Sequence, residues 1–124
     1  MAQRTQNLVA LILRLSGGGL MLTHGIPKLM KVIGGNFAFA DPIGIGTTAS
    51  LLLTVFAEVI CAVCLIIGFK TKWVSVPLMI TMLVAVFVVH LSDPLGKKEM
   101  GLLYFSIYLS TFLLGGGRYA VSRD

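Results

Sequence analysis

The chain has 124 residues, room for one domain, and only 12% of them are charged, where soluble domains carry about 25%. With 56% hydrophobic residues and a mean hydropathy of +0.94, it is too apolar to hide those side chains in a soluble core, so lipid must face them. The net charge of +5 comes from basic residues scattered over termini and loops, which excludes the clustered patch of a nucleic-acid binder.

The apolar runs predict an all-α membrane protein, a single four-transmembrane-helix bundle over residues 1–124 with spans at about 8–30, 48–68, 73–91 and 99–115. About 20 helical residues cross about 30 Å of hydrocarbon, and these runs are too long and unalternating for barrel strands. The first span is interrupted by Arg14 and followed by no A-x-A-like cleavage site, so it reads as a retained helix rather than a signal peptide. The fourth reaches spanning length only if Glu99 or the Gly115-Gly116-Gly117 run sits in the interface. The short turn Phe69-Lys70-Thr71-Lys72 predicts that helices two and three are antiparallel neighbours, and Ser92 to Lys98 carries the Asp-Pro and Gly punctuation of a turn. The first connection, Lys31 to Thr47, is longer and irregular. It holds Gly34, Gly35, Pro42, Gly44 and Gly46 with Phe37, Phe39 and Ile43, and reads equally as a lid dipping into the interface or as a plain surface loop.

Both termini then lie on the same side. That side carries Arg4, Lys70, Lys72, Arg118 and Arg123, against Lys28, Lys31, Lys97 and Lys98 on the other, which favours cytoplasmic termini in a bacterial or archaeal inner (cytoplasmic) membrane. Trp73 and Tyr119 would join the cytoplasmic aromatic belt.

Ionisable groups inside spans cost about 2.5–3.5 kcal/mol at a helix centre, so they face the bundle interior and have partners. In the first helix Arg14, Gly17, Gly18, Met21, His24, Gly25 and Lys28 fall within an arc of about 120°. Pro27, off that face, frees the Thr23 carbonyl. Glu58 in the second helix lies roughly 14 Å deep, and the depths predict an Arg14–Glu58 ion pair. His24, His90, Asp93 and Glu99 gather at the outer end, with Glu99 opening helix four. Tyr104 and Tyr108, one turn apart, could line one cavity. The candidate pocket is Arg14, His24, Lys28, Glu58, His90, Glu99 and Tyr104. Each member also has a bland role: a register-fixing ion pair, headgroup-solvated histidines, a snorkelling Lys28, a dipole-complementing Glu99, a packed Tyr104.

Other signals are weak. Cys61-Ala62-Val63-Cys64 has C-x-x-C spacing but lies mid-helix, where small apolar packing suffices. No spacing motif supports a metal, and one histidine per helix argues against haem.

At these residues the chain resembles the DoxX family of small four-helix membrane proteins, over nearly its whole length. Leu13-Arg14-Leu15, a glycine cluster and then His24-Gly25-Ile26-Pro27-Lys28-Leu29 are similar to the family's opening pattern. Glu58 before Gly68, His90 ending the third helix, Glu99 before Tyr104 and the Gly115-Gly116-Gly117-Arg118-Tyr119 tail follow it more loosely. The resemblance implies association with redox complexes, as a small subunit of thiosulfate:quinone oxidoreductase systems or beside sulfurtransferase and superoxide-detoxifying partners. No extramembrane domain or redox cofactor is evident in the sequence, which makes catalysis by this chain alone unexpected.

The leading expectation is an oxidoreductase-complex subunit that binds a quinone-like molecule, with His24, His90 or Tyr104 on its oxygens and Glu58 or Glu99 carrying a proton. No other cofactor is expected, membrane lipid is a partner, and a homo-oligomer is compatible. Two further readings stand beside it: a small proton-coupled transporter, and a non-catalytic membrane anchor or assembly subunit.

Overall fold

The computed structural model describes residues 2–39, 41 and 44–122, and they hold helices and no strand. Helices α1 (Gln3–Ile33), α2 (Thr47–Ile67) and α3 (Thr71–Val89) are each long and apolar enough to cross a membrane. The fourth, α4 (Leu95–Leu114), has the spanning length but carries Lys97, Lys98 and Glu99 in its first turns. Their outward faces expose large apolar side chains such as Ile12, Leu53, Ile60, Ile80 and Phe87, the surface that lipid requires.

Helix ends follow local chemistry. Gly68 closes α2 in the left-handed region (φ 78°, ψ 31°). Its N–H donates to the Leu65 carbonyl and that of Phe69 to Cys64, a Schellman ending. Pro94, extended at φ −62° and ψ 158°, starts α4 at Leu95, earlier than the hydropathy pattern suggests. Glu99 therefore does not open the helix. It is exposed in the second turn, because the turn chemistry of Asp93-Pro94, not the onset of apolar residues, fixes the start.

In the first connection Asp41 accepts from the Ile45 and Gly46 amides (3.0 and 2.9 Å) and from Ser50 Oγ (2.8 Å), holding the entry to α2. Lys31 Nζ donates to the Ala38 carbonyl. The expected roles of Pro42 and Ile43 in this segment, and of Arg123 in the charge count, lie outside the described residues.

Helix α1 meets α2 through glycines. A methyl at Gly18 would lie 2.6 Å from the Ala62 carbonyl oxygen, and one at Gly25 would lie 2.5 Å from that of Glu58. Backbones approach this closely only without side chains between them, as in membrane bundles generally. The core is Met21, Cys61, Ala62, Leu65, Leu78, Met82, Tyr104 and Tyr108.

Arg14 overturns the predicted Arg14–Glu58 pair. Its guanidinium, 1% exposed, donates instead to four backbone carbonyls: Leu65 (3.1 Å), Ile66 (2.9 Å), Gly116 (2.9 Å) and Tyr119 (3.3 Å). Two of these acceptors lie in the last turn of α2 and two in the tail that follows α4, and the negative end of the α2 dipole stabilises the cation. The reason is register. The glycine contacts place Gly25, not Arg14, beside Glu58, and the offset of eleven residues puts Arg14 about 16 Å away along α1. The tail after α4 completes this end, with Val121 N–H on Ile67 O (3.1 Å) and Lys70 N–H on Ser122 Oγ (2.8 Å).

Arg14→Met, which strands these carbonyls, should cost roughly 3 kcal/mol or more in thermal unfolding, and Arg14→Lys should recover only part of that. A double-mutant cycle on Arg14 and Glu58 should show no coupling. The hydrogen bonds from Ser50 and the Gly46 amide hold the Asp41 carboxyl below the usual carboxylate range. That ordering is present above the unfolded value of about 3.9 and lost as pH falls through the lower folded value. Exchange of the Ile45 and Gly46 amides should quicken in that acid window, and Asp41→Asn should remove the dependence.

Candidate functional site

The Gly25 contact brings α1 onto α2 where α2 widens into a π-helical turn, Phe56–Cys61, which contains Glu58. Such turns recur at functional positions because they re-aim side chains. Lys28, one turn beyond Gly25, reaches Glu58 Oε1 at 2.6 Å. The Glu58 side chain is 6% exposed and that of Lys28 27%, so the pair sits at the inner wall of a cavity rather than in bulk water. Lys28 Nζ also lies 3.5 Å from the His24 carbonyl.

A second π-helical turn, Ala85–Val89, ends α3, with His90 N–H donating to Ala85 O at 2.9 Å. His90 Nδ1 contacts Asp93 Oδ2 at 2.7 Å. An ionised carboxylate only accepts, so Nδ1 carries the hydrogen and Nε2 is left for another partner. The hydrogen bond from His90, reinforced by the charge of Lys97, holds the Asp93 carboxyl below the usual range.

The tyrosines form the third wall. The rings of Tyr104 and His24 meet edge to face at 5.8 Å, and Tyr104 stacks on Tyr108 at 6.0 Å with planes 17° apart. Tyr108 O–H donates to the Gly17 carbonyl (2.9 Å), which fixes the stack. The Tyr104 hydroxyl and the His24 ring nitrogens make no hydrogen bond among the described residues.

Five of the sequence-predicted residues, His24, Lys28, Glu58, His90 and Tyr104, line one cavity of about 170 Å³. The other two do not: Arg14 serves the opposite end, and Glu99 is exposed and stands off this cavity's wall. Lys97 and Lys98, left out of the predicted pocket, stand on its wall. The signal for Lys97 was available, since Lys97, Gly101, Tyr104 and Tyr108 recur at i, i+4, i+7 and i+11 on one face of α4.

A second, apolar groove of about 480 Å³ runs between α2 and α3, past Leu53, Phe56, Pro77, Ile80 and Val84. It shares Lys28, Glu58, Ala85 and His90 with the polar cavity. Phe39 from the first connection lines it, whereas Phe37 is exposed. The arrangement can hold a molecule with an oxygen-bearing head and an apolar body: ammonium, phenol and imidazole for the head, a methyl-lined trough for the rest. Cys61 and Cys64 are free thiols, the first packed in the core and the second half-buried, and no group of three or more potential metal ligands comes together among the described residues.

No curated protein and no solved structure matches the chain. The DoxX family model matches residues 9–91, more than half of the sequence. That stretch includes the glycine contacts, the Lys28–Glu58 pair and His90, and the chain belongs to the DoxX family of membrane proteins.

Proposed function

We propose that this chain is a subunit of a membrane redox complex and that it binds a small lipophilic, quinone-like molecule. The head would sit in the cavity of His24, Lys28, Glu58, His90 and Tyr104, and the apolar body in the groove along Phe56 and Pro77. The observation that carries this reading is the Lys28–Glu58 pair at 2.6 Å, placed where the polar cavity and the apolar groove share their walls. A cavity of about 170 Å³ takes a headgroup and little more, so a tail needs the neighbouring groove. Ring carbonyls are acceptors, and Lys28 Nζ, the Tyr104 hydroxyl and a protonated His90 Nε2 are donors. Glu58, with its ion pair loosened by the ligand, would be the group that holds a proton beside the ring.

The proposal includes four antiparallel spans with both termini in the cytoplasm of a bacterial or archaeal cell. Gly18 on Ala62, Gly25 on Glu58 and the Asn7–Arg118 hydrogen bond (3.2 Å) support the alternation of directions.

A second reading has its own support. The ion pair joins α1 to α2 beside the Gly25 contact, which fits a purely architectural role in an anchor subunit. The two readings differ in what Glu58→Gln does. As an anchor, the chain would bind no quinone before or after the change, and the variant would lose stability alone.

For the binding reading, a short-chain quinone should raise the melting temperature of the purified protein. Glu58→Gln or Lys28→Met should weaken binding about tenfold or more, and Tyr104→Phe about fivefold with little change in the ligand-free melting temperature. If quinones neither co-purify nor stabilise the protein, the proposal fails. In a double-mutant cycle without ligand, Lys28 and Glu58 should couple by about 1–3 kcal/mol.

A further inference from the structure

At the Arg14 end of the bundle the chain leaves α4 through Gly115-Gly116-Gly117 and folds back against α1. Asn7 Oδ1 accepts from Gln3 Nε2 (3.1 Å) and from the Arg118 amide (3.2 Å), pinning the tail. A methyl at Gly117 would lie 2.9 Å from Ala10 Cβ, so the tail is seated on α1 rather than draped over it.

Between these parts lies an open cleft of about 840 Å³, with Gln3, Asn7, Gly116, Gly117, Lys72 and Arg118 on its wall. Among the described residues, Lys72 and Arg118 are its charged groups, both cations, and none on the wall is a carboxylate. Among the described residues neither side chain has an ion-pair partner, and the Gly116 and Gly117 amides find no acceptor. The cleft is therefore lined by two cations and by two residues whose amides lack an acceptor, a composition that favours an anionic oxygen.

Its depth in the membrane follows from the helices. The turn after Gly68 joins two stretches, Thr47–Ile67 and Thr71–Val89, each able to span, so this end lies at the level of lipid headgroups. Val121, 70% exposed, lies on its wall, and Trp73, 71% exposed, follows Lys72 in α3, so exposed apolar side chains accompany the charges at this end.

We propose that this cleft is a binding site for the phosphate of an anionic membrane lipid, distinct from the cavity around Glu58. Arg118 and Lys72 clamp the phosphodiester oxygens, and the acyl chains descend beside Trp73. The site couples lipid composition to the part of the structure that Arg14 holds, since Gly116 both lines the cleft and accepts from Arg14.

The test uses the full chain in nanodiscs that mix phosphatidylglycerol with phosphatidylcholine, followed by native mass spectrometry of the released protein. Wild type should retain phosphatidylglycerol preferentially. Lys72→Gln and Arg118→Gln, both at exposed positions, should each lower that retention about fivefold with an unchanged melting temperature. Lys70→Gln, which removes a charge from the same end but not from the cleft, should leave it intact. Equal retention of phosphatidylcholine, or a loss with Lys70→Gln as large as with Lys72→Gln, overturns the proposal in favour of diffuse attraction. Displacement of the lipid by inorganic phosphate alone overturns it in favour of a free-anion site.

Discussion

A buried guanidinium with no carboxylate partner holds this bundle together. Arg14 is nearly inaccessible, and its charge is met by carbonyl oxygens at the end of α2 and in the tail after α4. An ion in an apolar interior is tolerable only when its hydrogen-bonding capacity is filled. Arginine can do this because its planar fork offers five donors in fixed directions, which a lysine cannot imitate. One side chain on α1 thereby ties together segments more than a hundred residues apart in sequence. The glycine-rich tail is part of the clamp, since Gly116 and Tyr119 supply two of its acceptors.

With that end fixed, the glycines set the register of α1 on α2. Gly18 and Gly25 remove the side chains that would hold the backbones apart, so their positions decide which residues of α2 face which of α1. Lys28 meets Glu58 as a consequence. The two π-helical turns, one at Glu58 and one just before His90, then aim the acid and the imidazole toward the same space. Both irregularities lie at the cavity, and the regular helix around them is rigid scaffold.

The cavity's chemistry is unbalanced by design of its walls. Glu58 is the one carboxylate among the described residues on its wall and is already engaged by Lys28, while Lys97, Lys98, His24 and His90 stand around it. Asp93 engages His90 at Nδ1 and leaves Nε2 for another partner. A head with acceptor oxygens fits this setting better than one with donors or positive charge.

The sequence alone determined the fold class and the helix count, and it named five of the residues that line the polar cavity while leaving out Lys97 and Lys98. Those follow from local quantities: apolar run length, turn residues, and the fact that ionisable groups inside spans must converge. His24, Lys28, Glu58, His90 and Tyr104 were legible for that reason. Lys97 was legible too, from helical spacing along α4, once the true start of that helix at Pro94 is recognised. Only the tertiary structure decided who partners whom. Arg14 and Lys28 lie on one helical face and are both cations, so composition and depth could not say which of them takes Glu58. The answer rests on the axial offset of α1 against α2, fixed by two glycine contacts across the bundle. The two π-helical turns and the reach of the tail to Arg14 were equally hidden, because each depends on packing between segments far apart in the chain rather than on any residue's own preference.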